Sequence, residues 1–274
     1  MKKKKNRKRN ERYGMNILSI RTCLRLIWRD MAVFRPGFID RLINGALWAG
    51  ITIVVFQYIG FGDSAVYLGV FMACANAVSW GFFEVMENVA RLISDLQGER
   101  SISYALTLPL PQWMVFFRIA ISNALQAMAI AIFILPMAKL LLWNTFSLEH
   151  FSLFKFLLIF ILAHLFYGFF SLWLASMVKS LEAIGDIWMR VVFPLWFLGG
   201  YQFTWATFVQ KSPILAYLNL ALNPLVYCME GVRAAVMGQE GYLPFWWCCA
   251  ALVFFTTLVG AVGTVRMKRR LDCL

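Results

Sequence analysis

Charged residues are scarce in this 274-residue chain, where they make up 15% of the total, whereas soluble globular proteins usually carry about 25%. Hydrophobic residues make up 61%. The few charges are unevenly placed, because most of them lie at the ends of long apolar stretches. This composition excludes an ordinary water-soluble domain.

Motifs for nucleotide binding and hydrolytic catalysis are also missing. The sequence has no G-x-x-x-x-G-K-[ST], no H-E-x-x-H and no G-x-S-x-G, the patterns that hold nucleotide phosphates, a catalytic zinc ion and a serine nucleophile. Its only two histidines, His150 and His164, lie 14 residues apart, and its six cysteines show no metal-ligand spacing. We therefore expect no enzyme activity, and no cofactor or metal bound by this chain.

Six long apolar runs fill most of the chain from about Arg41 to Arg266. A hydrocarbon core about 30 Å thick needs about 20 helical residues to cross it, and the runs are close to that length. We predict an all-α polytopic membrane protein whose six transmembrane helices occupy a domain at 37–270. The predicted spans are 39–60, 65–90, 113–137, 152–178, 187–203 and 244–265.

The N-terminal residues are polar or amphipathic. Residues 1–14 include the sequence KKKKNRKRNER, which predicts a basic tail attracted to anionic lipid headgroups. In residues 15–36 apolar side chains recur at steps of three and four, and Arg21, Arg25 and Arg29 form a second stripe. This pattern predicts an amphipathic helix lying in the membrane interface. A helix packed against a partner protein would show the same pattern.

Positive charge is distributed asymmetrically across the predicted spans. With six spans, 22 of the 26 lysines and arginines fall on the side that carries both termini. The positive-inside rule then predicts that both termini are cytoplasmic. We expect contacts with membrane lipids and none with nucleic acid, because the basic residues lie in a solvated tail and at span ends.

The segment 204–243, between the last two predicted spans, is too apolar for an ordinary outer loop. It contains two stretches of helical periodicity, each too short to cross a bilayer. Pro213 and Pro224 are each suited to the first turn of a helix, where the missing amide hydrogen costs nothing. We predict re-entrant half-helices, which are tolerated where protein covers the turning backbone. A surface cap of two amphipathic helices is the alternative.

Polar residues inside the spans are few. Carboxylates avoid the span centres, which disfavours an ion-coupled carrier and places the energy source on another chain. Glu87 and Arg91, four residues apart, predict a salt bridge at a helix end. Asn76, Asn123 and Gln126 lie within spans and predict hydrogen bonds between helices.

Two local motifs carry a resemblance to a known family. The stretch DLQGERSISYALTLPLPQW (95–113) has an acidic-basic turn followed by a leucine- and proline-rich run, and LNPLVYCMEGVRAAVMG (222–238) has the pattern Asn-Pro, Tyr, Glu-Gly, Arg. With the order of the other elements, they resemble the membrane subunit of type-2 ATP-binding-cassette (ABC-2 type) exporters over about residues 15–270. The coupling segment of such a subunit corresponds here to 91–112.

The resemblance implies a permease subunit that moves a drug, lipid or glycan out of the cytoplasm across the bacterial inner membrane. It implies a homodimer with an ABC ATPase subunit beneath each copy, and ATP and Mg²⁺ bound by that ATPase. Asp95, Glu99 and Arg100 would contact the ATPase, and the helix carrying Arg21, Arg25 and Arg29 would frame the same dock. The residues expected to form an outer gate are Asn223, Pro224, Tyr227, Glu230, Gly231 and Arg233.

Other interpretations stay open at this point. The chain would be a channel or carrier that needs no ATPase if it moved solute alone. It would be a membrane enzyme acting on lipids if His164, or Glu84 with Glu87, supplied the chemistry. The charges at 95–100 would also fit a solvated turn.

Overall fold

The computed structural model describes residues 19–59, 65–98, 101–108 and 110–272, and within these ranges the chain is helical and contains no β-strand. A helix α1 at 19–34 precedes twelve further α-helices. These are α2 (Phe38–Tyr58), α3 (Ala65–Gln97), α4 (Ser101–Thr107), α5 (Gln112–Ala131), α6 (Ile134–Leu141), α7 (Leu153–Met177), α8 (Ile184–Ile187), α9 (Phe193–Leu198), α10 (Trp205–Lys211), α11 (Pro213–Leu222), α12 (Pro224–Val236) and α13 (Phe245–Asp272).

Five helical segments are long and apolar enough to cross a membrane, which confirms the predicted all-α polytopic fold. They are Ser19–Tyr58, Leu68–Gln97, Gln112–Leu141, Leu153–Met177 and Phe245–Leu271. We call the end of the bundle where α3 ends and α5 begins the charged end, and the opposite end the far end.

The predicted fifth span is shorter than the others. In place of 187–203 the structure has α8, a π-helix at Trp188–Val192 and α9, which ends at Leu198. Gly200, with a backbone φ of +86°, lies in the turn that follows α9. A π-helix and a left-handed glycine both interrupt regular α-helical geometry, so the segment stops early. The total of six spans stays a prediction.

Helix α1 runs almost directly into α2. Only a 3₁₀ turn at Arg35–Gly37, which contains Pro36, separates the two helices, so the expected break is present but brief. Arg21, Arg25 and Arg29 are all exposed on α1, as the predicted cationic stripe requires. The placement of α1 in the membrane interface stays a prediction.

Polar side chains link the helices, as predicted for Asn76 and Asn123. Asn76 Nδ2 donates to Thr52 Oγ1 at 2.8 Å, and Tyr201 Oη donates to Asn76 Oδ1 at 3.0 Å. Asn123 Nδ2 donates to Ser171 Oγ at 3.0 Å, which joins α5 to α7. These bonds satisfy buried amides that would otherwise be unpaired in an apolar core.

Small residues bring α5 and α7 into close contact. A Cβ atom built on Gly168 would overlap the carbonyl oxygen of Ala120 and would lie 3.1 Å from Ala124 Cβ. Helices in membrane proteins pack closely where small residues allow their two backbones to approach each other.

Replacing Gly168 by alanine should therefore destabilise the chain by roughly 1–3 kcal/mol, because the two backbones must separate. The matched control is Gly185→Ala in α8, where a new Cβ would have no neighbour within 4 Å. Thermal unfolding of the two purified variants in mild detergent checks this. If Gly168→Ala unfolds no earlier than Gly185→Ala, the α5–α7 contact is looser than described.

Candidate functional site

The segment before α13 is built around the start of α12. Asn223 caps this helix, because its Oδ1 accepts from the backbone N–H of Leu225 at 3.1 Å, and Pro224 occupies the first turn. The Nδ2 of Asn223 donates to the carbonyl of Leu195 in α9 at 2.8 Å. Pro213 opens α11 in the same way, so both prolines begin helices as predicted.

Three helices, α10, α11 and α12, occupy the predicted outer segment 204–243, in place of the two half-helices expected. They differ strongly in burial. Every residue of α12 is buried, whereas Ala216 is the one buried residue of α11. Whether these helices enter the outer leaflet stays a prediction.

Glu230 joins two separate parts of the chain through its carboxylate. Its Oε1 accepts from the backbone N–H of Trp205 at 3.0 Å, at the start of α10. Its Oε2 accepts from the backbone N–H of Leu243 at 3.1 Å, just before α13. Glu230 therefore holds together the first and last parts of the outer segment, at the start of α10 and just before α13.

Arg233 lies one turn further along α12 and binds the end of the short α9 segment. Its Nη1 donates to the carbonyls of Gly200 at 2.7 Å and Phe203 at 3.2 Å, and its Nη2 donates to the carbonyl of Tyr201 at 2.9 Å. The guanidinium carbon lies 3.4 Å from the centroid of the Phe71 ring, a cation–π contact. A single side chain thus satisfies three carbonyls that follow the end of α9.

Glu230 and Arg233 also pair with each other, at 3.9 Å between Oε1 and Nη1. Their exposures are 1% and 0%, so in this conformation they connect buried parts of the protein and do not line an opening. Burial raises the pKa of the Glu230 carboxyl, while Arg233 and the two N–H donors oppose that rise. Burial lowers the pKa of Arg233 to about 10, so its guanidinium stays charged at neutral pH.

Tyr227 and Gly231 complete the set of residues expected in this segment. Tyr227 Oη donates to the carbonyl of Leu220 at 2.8 Å, which ties α12 to α11. A Cβ on Gly231 would lie 2.7 Å from Ile159 and 3.2 Å from Cys248 Cβ, so α12 packs closely against α7 and α13 at this position. The structure thus gives each residue of the predicted gate a local packing or hydrogen-bonding contact.

At the charged end, Asp95 caps the short helix α4. Its Oδ1 accepts from the backbone N–H of Ser101 at 2.9 Å, its Oδ2 accepts from that of Ile102 at 3.0 Å, and the Ser101 hydroxyl also donates to it. This carboxylate is therefore occupied within the chain. Glu99 and Arg100 lie outside the described residues.

The predicted coupling segment 91–112 contains parts of two helices. Helix α3 continues to Gln97, and the separate short helix α4 is Ser101–Thr107. The capping hydrogen bonds that Asp95 accepts favour a helix that starts at Ser101.

In a comparison with family models, the model of the ABC-2 type transporter family matches residues 17–237 of the chain. The chain belongs to this family. It is therefore the membrane component of a transporter and is not itself catalytic. Comparison with curated proteins yielded no match.

The charged end of this ABC-2 type chain contains an ion pair that was not predicted from the sequence. Arg118 Nη1 donates to Asp30 Oδ2 at 2.9 Å, and Ser122 Oγ donates to the same oxygen at 2.9 Å. Two residues 88 positions apart give no local signal of pairing. An arginine six residues inside an apolar helix was nevertheless a signal, because a charge at such a position needs a partner.

The predicted salt bridge between Glu87 and Arg91 is wrong. Arg41 of α2 pairs with Glu87 and also binds Glu84, at 2.8 Å to Oε2. Arg91 instead donates to the side-chain oxygens of Asn88 and of Gln126, the latter at 2.9 Å. Tertiary contacts with α2 and α5 thus replace the local i,i+4 pair, and Gln126 joins α5 to α3 as predicted.

The residues considered for an enzyme have other partners in this family member. His164 Nδ1 lies 2.8 Å from the carbonyl of Phe160, one turn earlier in α7, and the side chain is fully buried. Glu84 and Glu87 both bind Arg41. In the part of the chain that the structure describes, no group of three His, Cys, Asp or Glu side chains could hold a metal ion.

Proposed function

We propose that this chain is the permease subunit of an ATP-driven exporter in a bacterial inner membrane. Its cargo would be a drug, a lipid or a glycan, moved out of the cytoplasm. A separate ABC ATPase would bind and hydrolyse ATP with Mg²⁺, and two copies of the chain would form the membrane part. Membership of the ABC-2 type transporter family is the observation that carries this proposal.

The placement of the carboxylates supports an external energy source. Helices α5, α6 and α7 contain no aspartate or glutamate. In α3, Glu84 and Glu87 are bound by Arg41, and Asp95 caps α4. Ion-driven carriers usually keep a titratable carboxylate near the middle of the membrane, so ATP hydrolysed on a partner chain is the better supported source.

Coupling to the ATPase would use the connection between α3 and α4. Asp95 fixes the start of α4 to the end of α3 through two backbone N–H donors. A force applied at Glu99 and Arg100, which lie between α3 and α4 in the sequence, would therefore be passed to α3, since the capping hydrogen bonds join α4 to α3. In this proposal Asp95 positions the contact, while Glu99 and Arg100 make it. The charged end would then face the cytoplasm, together with both termini and the arginines of α1.

The path for cargo would lie between two copies of the chain. Helix α2 buries only Gly45, Ala49 and Ile53, and it exposes large apolar side chains such as Leu47 and Ile51. Such a face is suited to lipid or to a second copy of the same helix. We place the seam of the dimer along α2 and α9, with α3 behind them.

Reversing the charges of both residues, with Glu99→Arg and Arg100→Glu, tests the coupling. The tagged chain is purified from its native membranes, and the ABC ATPase that accompanies it is identified and quantified by mass spectrometry. We expect recovery of the ATPase to fall by more than about tenfold, because like charges at an interface cost several kcal/mol.

The matched control reverses two exposed charges at the far end, with Lys211→Glu and Glu240→Arg, and it also leaves the net charge unchanged. This control should keep the ATPase. Equal recovery of the ATPase from both variants would exclude Glu99 and Arg100 as the coupling contact. Absence of any ATPase from the wild-type preparation would contradict the proposed function itself.

A further inference from the structure

A polar cavity of about 500 Å³ opens at the charged end, between α1, α3, α4 and α5. This volume falls within the range of about 300–1,000 Å³ that is typical of ligand sites. Three arginines from three helices line it, together with Asp30, Asp95 and Ser122. They are Arg29 of α1, Arg91 of α3 and Arg118 of α5.

The two carboxylates in the cavity are already engaged. Asp30 accepts hydrogen bonds from Arg118 and Ser122 at 2.9 Å each, and it pairs with Arg29 at 3.1 Å. Asp95 is occupied by the backbone of α4. Neither carboxylate has an oxygen without a hydrogen-bond donor, so neither favours binding of a cation here.

The arginines, in contrast, have donors to spare. Arg91 bonds only to the neutral oxygens of Asn88 and Gln126, and no described carboxylate lies within ion-pair distance of it. Arg118 is 94% buried, and its Nε has no partner among the described residues. The charged residues that line the cavity are three arginines and two aspartates, so the lining carries a net positive charge. Planar guanidinium groups bind phosphate oxygens with two parallel hydrogen bonds.

An exposed apolar side chain adjoins the charged groups of this cavity. Val33 lines the cavity and is 74% exposed, and it lies one turn from Arg29 on the same face of α1. Leu24 and Trp28 are also exposed, but they lie on a different face of α1. A ligand with a phosphate group at one end and an apolar chain at the other matches the arginines together with Val33.

We propose that the cavity binds the phosphodiester headgroup of an anionic phospholipid, with the acyl chains leaving the cavity past Val33. Arg29, Arg91 and Arg118 hold the phosphate, and Ser122 adds a hydroxyl close by. The bound lipid joins α1 to α3 and α5, and so stabilises the charged end where the proposed ATPase contact lies. The site needs a membrane beside α1 but does not depend on export or on the ATPase.

Native mass spectrometry of the full-length chain in mild detergent tests this proposal. Retention of phosphatidylglycerol is compared with retention of phosphatidylcholine, which is neutral overall. The wild type should retain phosphatidylglycerol preferentially. Arg29→Gln and Arg91→Gln should each weaken that binding about tenfold, the effect of losing one charge-assisted hydrogen bond. Since Arg29 is exposed, its variant keeps the test valid even if Arg91→Gln unfolds.

Arg25→Gln is the matched control, because Arg25 lies on the exposed stripe of α1, outside the cavity, and the change removes the same charge. Equal losses in Arg25→Gln and Arg29→Gln would show only general surface attraction and would overturn the site. Complete displacement of the lipid by millimolar inorganic phosphate would make free phosphate the ligand. Reduced ATPase recovery with unchanged lipid binding would make the cavity a protein contact and refute the proposal.

Discussion

Replacing Arg233 by methionine is expected to lower the free energy of unfolding by about 3–5 kcal/mol, the usual cost of removing one partner from a buried ion pair. The change leaves Glu230 buried without its cation. It also leaves the carbonyls of Gly200, Tyr201 and Phe203 without their donor. Arg233→Lys should recover only part of the loss, because an ammonium group cannot reproduce the planar fork that reaches three carbonyls.

Unfolding of the detergent-purified variants measures this effect. Arg190→Met is the matched control, because Arg190 is 76% exposed and its 3.4 Å pair with Asp186 lies at the surface. Such exposed pairs contribute little to stability. If Arg233→Met were as stable as the wild type, the carbonyls after α9 would not need the guanidinium. The structural role described for Glu230 and Arg233 would then be refuted, and the predicted role in a gate would be favoured.

The second large effect is expected at Asp30. Asp30→Asn should destabilise the chain by about 2–4 kcal/mol, because it leaves the guanidinium of Arg118 largely buried with no carboxylate partner. The loss should be local, since Asp30 joins α1 to α5 through Arg118 and Ser122. Hydrogen exchange should therefore increase across 19–34 before it increases in α3 or α7.

A double variant separates the ion pair from other effects of the change. Asp30→Asn combined with Arg118→Gln should be more stable than the sum of the single losses, because neither partner is left charged and alone. Asp186→Asn, at an exposed pair of the same type, serves as the control and should change little. Strictly additive losses in the double variant would indicate that Asp30 and Arg118 do not stabilise each other.

The broad fold was predictable because the membrane imposes a length. The run 152–178 matches α7 closely, and the run 244–265 matches the first part of α13, which continues to Asp272. About 20 apolar residues are needed for a crossing whatever the helix packs against. Helix starts at Pro213 and Pro224 were predictable for a similar reason: proline is favoured in the first turn of any helix.

The details of the candidate site depended on tertiary contacts and were not predictable. Nothing local to Glu230 indicates that it accepts hydrogen bonds from Trp205 and Leu243. The α9 segment ends early because a π-helix interrupts it, and no periodicity in the sequence predicts that π-helix. Glu87 has two arginines within reach, and only the packing of α2 against α3 selects Arg41 over Arg91.

The short α8–α9 segment has a consequence for the surrounding lipid. Its α-helix, π-helix and second α-helix contain four, five and six residues, which at 1.5 Å per residue extend over roughly 22 Å. A typical hydrocarbon core is about 30 Å thick, and a bilayer thins beside a segment that is too short to match it. Where this flank, with its exposed Phe193 and Phe197 rings, contacts lipid beside the proposed seam, we therefore expect a thinner membrane than beside the long and mostly exposed α13, so acyl-chain length becomes a variable to which one side of the molecule responds.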